Sequence, residues 1–76
     1  MKSLPALNSR KAIKILRKLG FEKDRQKGSH LVMINPERNK TVVIPIHTGK
    51  TIKKPLLKSI IEDDAGLTIE EFLKIL

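Results

Sequence analysis

Ser29-His-Leu-Val-Met-Ile-Asn-Pro-Glu-Arg-Asn-Lys-Thr-Val-Val-Ile-Pro-Ile46 reads as two strands joined by a turn, and the rest of the chain arranges itself around them. The runs His-Leu-Val-Met-Ile and Thr-Val-Val-Ile-Pro-Ile are short and rich in β-branched residues, as strands are and helices are not. Asn35-Pro-Glu-Arg-Asn39 between them is a turn by composition. Pro45 cannot donate to a ladder, so the strand from Thr41 to Ile46 ends there or lies at an edge. Upstream, Phe21 to Gln26 is a further strand, mostly charged and so also suited to an edge. Lys27-Gly28 supplies its tight turn into the strand from Ser29 to Ile34.

Helices flank this meander. Asn8 or Ser9 caps a helix that runs to about Leu19, with Gly20 as its stop. At 100° per residue, Ala12, Ile13, Ile15, Leu16 and Leu19 fill one arc; Arg10, Lys11, Lys14, Arg17 and Lys18 fill the other. A second helix starts near Lys54-Pro55, proline suiting a first turn. Leu56, Leu57, Ile60 and Ile61 form its apolar stripe. Continued counting puts Asp64 back on that stripe, so the helix is expected to end or distort around Asp63, with Ala65-Gly66 as terminator. Thr68-Ile-Glu-Glu71 is a capping box opening a last short helix with Phe72, Leu73 and Leu76. The order α-β-β-β-α-α predicts an α+β fold: a three-stranded antiparallel sheet with its helices on one face.

The chain is 76 residues long, room for one core and therefore a single domain spanning 1–76. It contains no cysteine, which removes thiol chemistry and fits a reducing, cytoplasmic setting. No apolar run approaches the ~20 residues a membrane helix needs, and the first residues lack the apolar stretch of a signal peptide. Charge is uneven. Residues 1–54 carry fourteen basic and three acidic side chains, a balance of +11; residues 55–76 carry two and five, a balance of −3. A polyanion suits the first part, and nucleic acid suits it better than a membrane, because no helix pairs bulky aromatics with this charge. Phe21 and Phe72 are the only aromatic residues, too few for a sheet that stacks bases on exposed rings.

His30 and His47 are the only side chains whose ordinary pKa lies near neutrality. If Asn35 pairs with Lys40, His30 faces Pro45 and His47 lies diagonally from it, ~7–8 Å away on the same face. Ser29 and His30 are not a nucleophile and its base, because consecutive strand residues point to opposite faces. The histidines lack the spacing of metal ligands, and most carboxylates lie in the C-terminal third, so no metal or other cofactor is expected. His30 has Lys27 beside it and Lys50, Lys53 and Lys54 in reach. An imidazole among ammonium groups suits cleavage of RNA by its own 2′-hydroxyl, a route closed to DNA.

Four segments carry a family likeness: Arg17-Lys-Leu-Gly-Phe21, Gln26-Lys-Gly-Ser-His30, Val43-Ile-Pro-Ile-His47 and Ala65-Gly-Leu-Thr-Ile-Glu-Glu-Phe72. In their order and spacing the chain resembles the HicA-type mRNA interferase toxins of toxin–antitoxin modules over nearly its whole length. The resemblance implies a double-stranded-RNA-binding-domain-like fold, metal-independent endoribonuclease activity on mRNA, and a HicB-type antitoxin as partner. It implies His30 as the catalytic residue and allows His47 as an auxiliary, and it places Lys53 and Lys54 where related folds carry cations; with Lys27, Gly28, Ser29 and Lys50 around His30, these are the residues expected to contact RNA. Two departures stand out. The first helix opens on Asn8-Ser-Arg10 where many relatives have Ser-Gly-Lys, and Ile61-Glu-Asp-Asp-Ala-Gly66 is one residue longer than the usual pattern. Competing readings are a non-catalytic double-stranded-RNA-binding module and a domain that docks an acidic protein.

Overall fold

A computed structural model describes residues 4–46 and 50–75. The elements run β1 (Leu7–Asn8), α1 (Ser9–Lys18), β2 (Glu22–Lys27), β3 (His30–Asn35), β4 (Lys40–Pro45), β5 (Thr51–Ile52), α2 (Lys54–Ser59), a π-helical turn (Ile60–Asp64) and α3 (Ile69–Ile75). The expected antiparallel meander is present, in the order β2-β3-β4. Its register pairs Asn35 with Lys40 and His30 with Pro45. Leu31, Met33, Val42 and Ile44 are buried against the helices, and their neighbours in sequence face the other way. β2 is exposed at every residue, an edge blunted by charge and by an irregularity between Lys23 and Arg25.

One feature was not legible in advance. β1 and β5 form a separate two-stranded sheet, pairing Leu7 with Ile52 and Asn8 with Thr51. Asn8 also caps α1, its side-chain oxygen accepting from the Lys11 N–H at 2.8 Å. One residue thereby ties the start of α1 to the segment leading into α2.

The amphipathic reading of α1 holds. Ala12, Ile15 and Leu16 are buried, Ile13 and Leu19 are half-buried, and the five cations are all exposed. Leu19 ends the helix, and its carbonyl accepts from the Asn35 side-chain amide at 3.4 Å. The same side chain accepts from the Arg38 N–H at 3.2 Å. Asn35 is a buried polar residue, and its two bonds join α1 to the β3–β4 turn. Gly20 lies against it at φ +103°, where an added Cβ would sit 3.1 Å from the Asn35 amide nitrogen. Both the backbone angle and the space demand glycine.

The misplaced Asp64 is resolved by widening the helix. Over Ile60–Asp64 the chain closes with a five-residue step, the Ala65 N–H donating to the Ile60 carbonyl at 2.8 Å. The wider turn stacks Ala65 on the face of Ile60 and Ile61, all three buried, and leaves Asp64 exposed. The irregularity is thus absorbed without turning a carboxylate into the core. Deleting Asp64 restores α-helical spacing and is expected to leave the melting temperature unchanged or a few degrees higher. Deleting Lys14 instead would turn Ile15 and Leu16 by 100° and abolish folding. A fall of more than ~8 °C on deleting Asp64, about 1 kcal/mol or more in a domain this size, would contradict the account.

α3 opens as its capping box requires: the Glu71 N–H donates to the Thr68 hydroxyl at 3.0 Å, and the Thr68 N–H to the Glu71 carboxylate at 3.2 Å. Phe21 and Phe72 both lie in the core, so neither ring is offered to solvent. Leu56 departs from expectation. It is 46% exposed, whereas Leu57, Ile60 and Ile61 are buried. Leu56 sits at the edge of that arc, 100° from Leu57, and is the stripe residue left uncovered.

Candidate nucleic-acid interface

The β2–β3 hairpin positions the histidine. Its two-residue loop is Gly28-Ser29, one position later than the Lys27-Gly28 turn expected, so Ser29 belongs to the turn and His30 opens the strand. Gly28 has φ +56°, and Ser29 is not left-handed, the pattern of a type II′ hairpin turn. The Gln26 side-chain amide braces this loop by donating to the Gly28 carbonyl at 3.1 Å. Lys27 and His30 are direct cross-strand partners closing the loop.

On its other side His30 pairs with Pro45. The Ile46 N–H donates to the Ser29 carbonyl at 2.6 Å, which makes Ser29 and Ile46 a hydrogen-bonded pair. By alternation, His30 and Pro45 form the narrow pair, whose Cα atoms approach to about 4.5 Å and whose side chains lie closest. Proline's missing donor therefore points out of the sheet and costs no ladder bond. Because Leu31 faces the helices, His30 stands on the open face of the sheet, exposed, with Val32 and Ile34 further along its strand. Its ring has no hydrogen-bond partner among the described residues.

Pro45 links this imidazole to a second feature. A groove of about 270 Å³ is lined by Pro45, Lys50, Thr51, Ile52, Lys53 and Leu56. Lys50 and Lys53 are exposed at its rim, and no acidic residue lines it. The pairing of β5 with β1 holds Thr51 and Ile52 in place, and Ile52 is buried as the groove's base. Lys54 is exposed one residue beyond, outside the lining. Among the described residues the only ion pair joins Arg25 to Asp24, at 2.9 Å on the exposed edge strand. Lys27, Lys50, Lys53 and Lys54 thus have no carboxylate partner there.

The candidate residues accordingly fall into two neighbouring groups. Lys27, Gly28, Ser29 and His30 form the hairpin end, Lys50 and Lys53 rim the groove, and Pro45 touches both. His47 lies outside the described residues. The cations of α1 are exposed and belong to neither group. Sequence reasoning overlooked Leu56, Ile52 and Pro45 as surface-forming residues. Only Pro45 carried a local signal, its inability to continue a central strand.

Among the described residues no three His, Cys, Asp or Glu side chains converge as metal ligands would, and no helix is long and apolar enough to cross a membrane. The model of the family described as "HicA toxin of bacterial toxin-antitoxin" matches residues 9–67, from the start of α1 through the π-helical turn to Leu67. The match stops short of α3, so the likeness in Thr68 to Phe72 lies beyond it. No curated protein matches the chain.

Proposed function

The chain belongs to the HicA toxin family of bacterial toxin–antitoxin systems, and from that premise we propose that it is a metal-independent endoribonuclease acting on mRNA. The observation that carries the reading is His30, exposed on the open sheet face with Lys27 as its cross-strand neighbour and the lysine-rimmed groove adjoining through Pro45. An RNA strand laid across that face brings a phosphodiester to the imidazole. The 2′-oxygen attacks the adjacent phosphorus, the bond to the 5′-oxygen breaks, and a 2′,3′-cyclic phosphate forms. The imidazole takes the hydroxyl proton or supplies one to the leaving oxygen, and the ammonium groups of Lys27, Lys50, Lys53 and Lys54 offset the charge that builds on phosphate. His47 serves as an auxiliary on this reading, and the reaction takes place in the cytoplasm.

The direct test is incubation of single-stranded RNA with the protein in EDTA. Fragments ending in cyclic phosphate are expected, while DNA and 2′-O-methyl RNA of the same sequence stay whole, since neither has the nucleophile. RNA that is retarded in a gel yet unbroken would replace the enzyme with a non-catalytic RNA-binding module.

A toxin of this family is restrained by its antitoxin, here a HicB-type protein that covers His30 and the cations around it. Half-exposed Val43 on the same sheet face and the absence of local carboxylate partners support an acidic partner with apolar contacts. A complex that leaves the His30 ring open to solvent would remove direct occlusion.

A further inference from the structure

The groove beside Pro45 has a use of its own. Its floor is apolar, with Pro45, Ile52 and Leu56, and Leu56 remains 46% exposed although burial of a leucine is favourable. Its rim is cationic, with Lys50 and Lys53 and no carboxylate. A ligand that matches both must carry a flat or compact apolar body and negative charge. At about 270 Å³, the groove lies just under the ~300–1,000 Å³ of pockets for drug-sized molecules, room for one small ring system. Both phenylalanines are in the core, so among the described residues the one ring open to an unstacked base is the His30 imidazole, which the proposed chemistry occupies. An aliphatic floor is the remaining surface on which a base can bury its face.

We infer that this groove is a single-nucleotide subsite, holding one unpaired RNA base against Leu56, Pro45 and Ile52 while Lys50 and Lys53 engage its flanking phosphates. The inference rests on RNA being the ligand, as proposed above, but not on its being cleaved. The narrow pairing of His30 with Pro45 makes the subsite the immediate neighbour of the imidazole. The base held there therefore belongs to a nucleotide next to the phosphodiester at His30. Leu56 becomes a residue that positions the strand and selects which bases can sit beside the cut. A double-stranded helix keeps its bases stacked inside and cannot enter, so the subsite favours single strands.

The test uses the full chain and a 2′-O-methyl RNA hexamer, which binds but offers no nucleophile. In methyl NMR spectra, the Leu56 and Ile52 resonances should shift on titration at low salt. An abasic site is then walked along the hexamer. One position should weaken binding by about tenfold, the scale of losing one stacked base. Leu56→Ser should bind the intact hexamer as weakly as the wild type binds that abasic one, with no further loss when both changes are combined. Its melting curve checks that the half-exposed site tolerates the change. Hexamer binding that leaves both methyl signals unmoved, or a folded Leu56→Ser with wild-type affinity, overturns the subsite while leaving the nuclease reading intact. Groove signals that respond to an acidic leucine-containing peptide and not to RNA assign the groove to a protein. Loss of cleavage in EDTA with the NMR result preserved would instead remove the enzyme and keep the subsite.

Discussion

His30→Ala is expected to lower RNA cleavage in EDTA by about 10²–10⁴-fold, the range for removing a general acid–base, and to shift the melting temperature by no more than about 4 °C. The two halves of that expectation rest on separate observations. His30 is exposed, has no hydrogen-bond partner among the described residues, and opens a strand whose register is held on both sides by backbone pairing. Surface substitutions away from caps, cores and special backbone angles change stability by only about ±0.5 kcal/mol. The chemistry depends on the imidazole directly, since on the proposed reading His30 moves the proton and His47 is an auxiliary. Retarded migration of 2′-O-methyl RNA should survive the substitution, since the lysines that engage phosphate remain. The pair of measurements is cleavage rate and gel shift on the same folded variant. A folded His30→Ala protein that still cuts RNA at the wild-type rate would end the catalytic assignment.

Phe72→Ala is the opposite case, a large effect on folding at a residue remote from the proposed chemistry. Phe72 is fully buried, and it anchors α3 in the same cluster as Leu16, Met33 and Ile61. Truncating a buried phenylalanine costs about 3–5 kcal/mol, the lost burial plus the cavity left behind. At ~0.05–0.15 kcal/mol per residue, a 76-residue chain has in total about 4–11 kcal/mol. The variant is therefore expected to lose between about a quarter and all of its stability, read as the midpoint of urea unfolding. A midpoint close to the wild type's would mean that α3 is an appendage and not part of the core. That outcome bears on where the folded unit ends, because the family match stops at residue 67 and α3 lies beyond it.

The elements readable in advance are those with many residues voting for one answer. In α1, ten residues separate apolar from cationic positions at helical period, and the Asn8 cap marks the start. In β3 and β4 the β-branched runs flank a turn of Asn and Pro, and the register that the sequence offered only as a condition, Asn35 with Lys40, is the one found and carries His30 opposite Pro45. Angular counting detected the irregularity at Asp63 and Asp64, though not its form. Nothing in the chain distinguishes a frayed helix from a π-helical turn until Ile60, Ile61 and Ala65 are seen to share one buried face.

The site divides in the same way. Local order along the chain determined the secondary structure, the charge asymmetry, the two-residue neighbourhood of His30 and the side of the sheet on which it stands, because these depend on φ/ψ preferences and period-two alternation within a dozen residues. Tertiary packing alone decided the groove. Its walls come from β4, from β5 with the residues that flank it and from the first turn of α2, and the pairing of Leu7 with Ile52 holds β5 in place. Two-residue strands have no periodicity to read, and Leu56 looks like any core leucine until its neighbours in space fail to cover it. Burial at the margin of an apolar stripe is set by what the rest of the fold lays over it, so no window of sequence reports it.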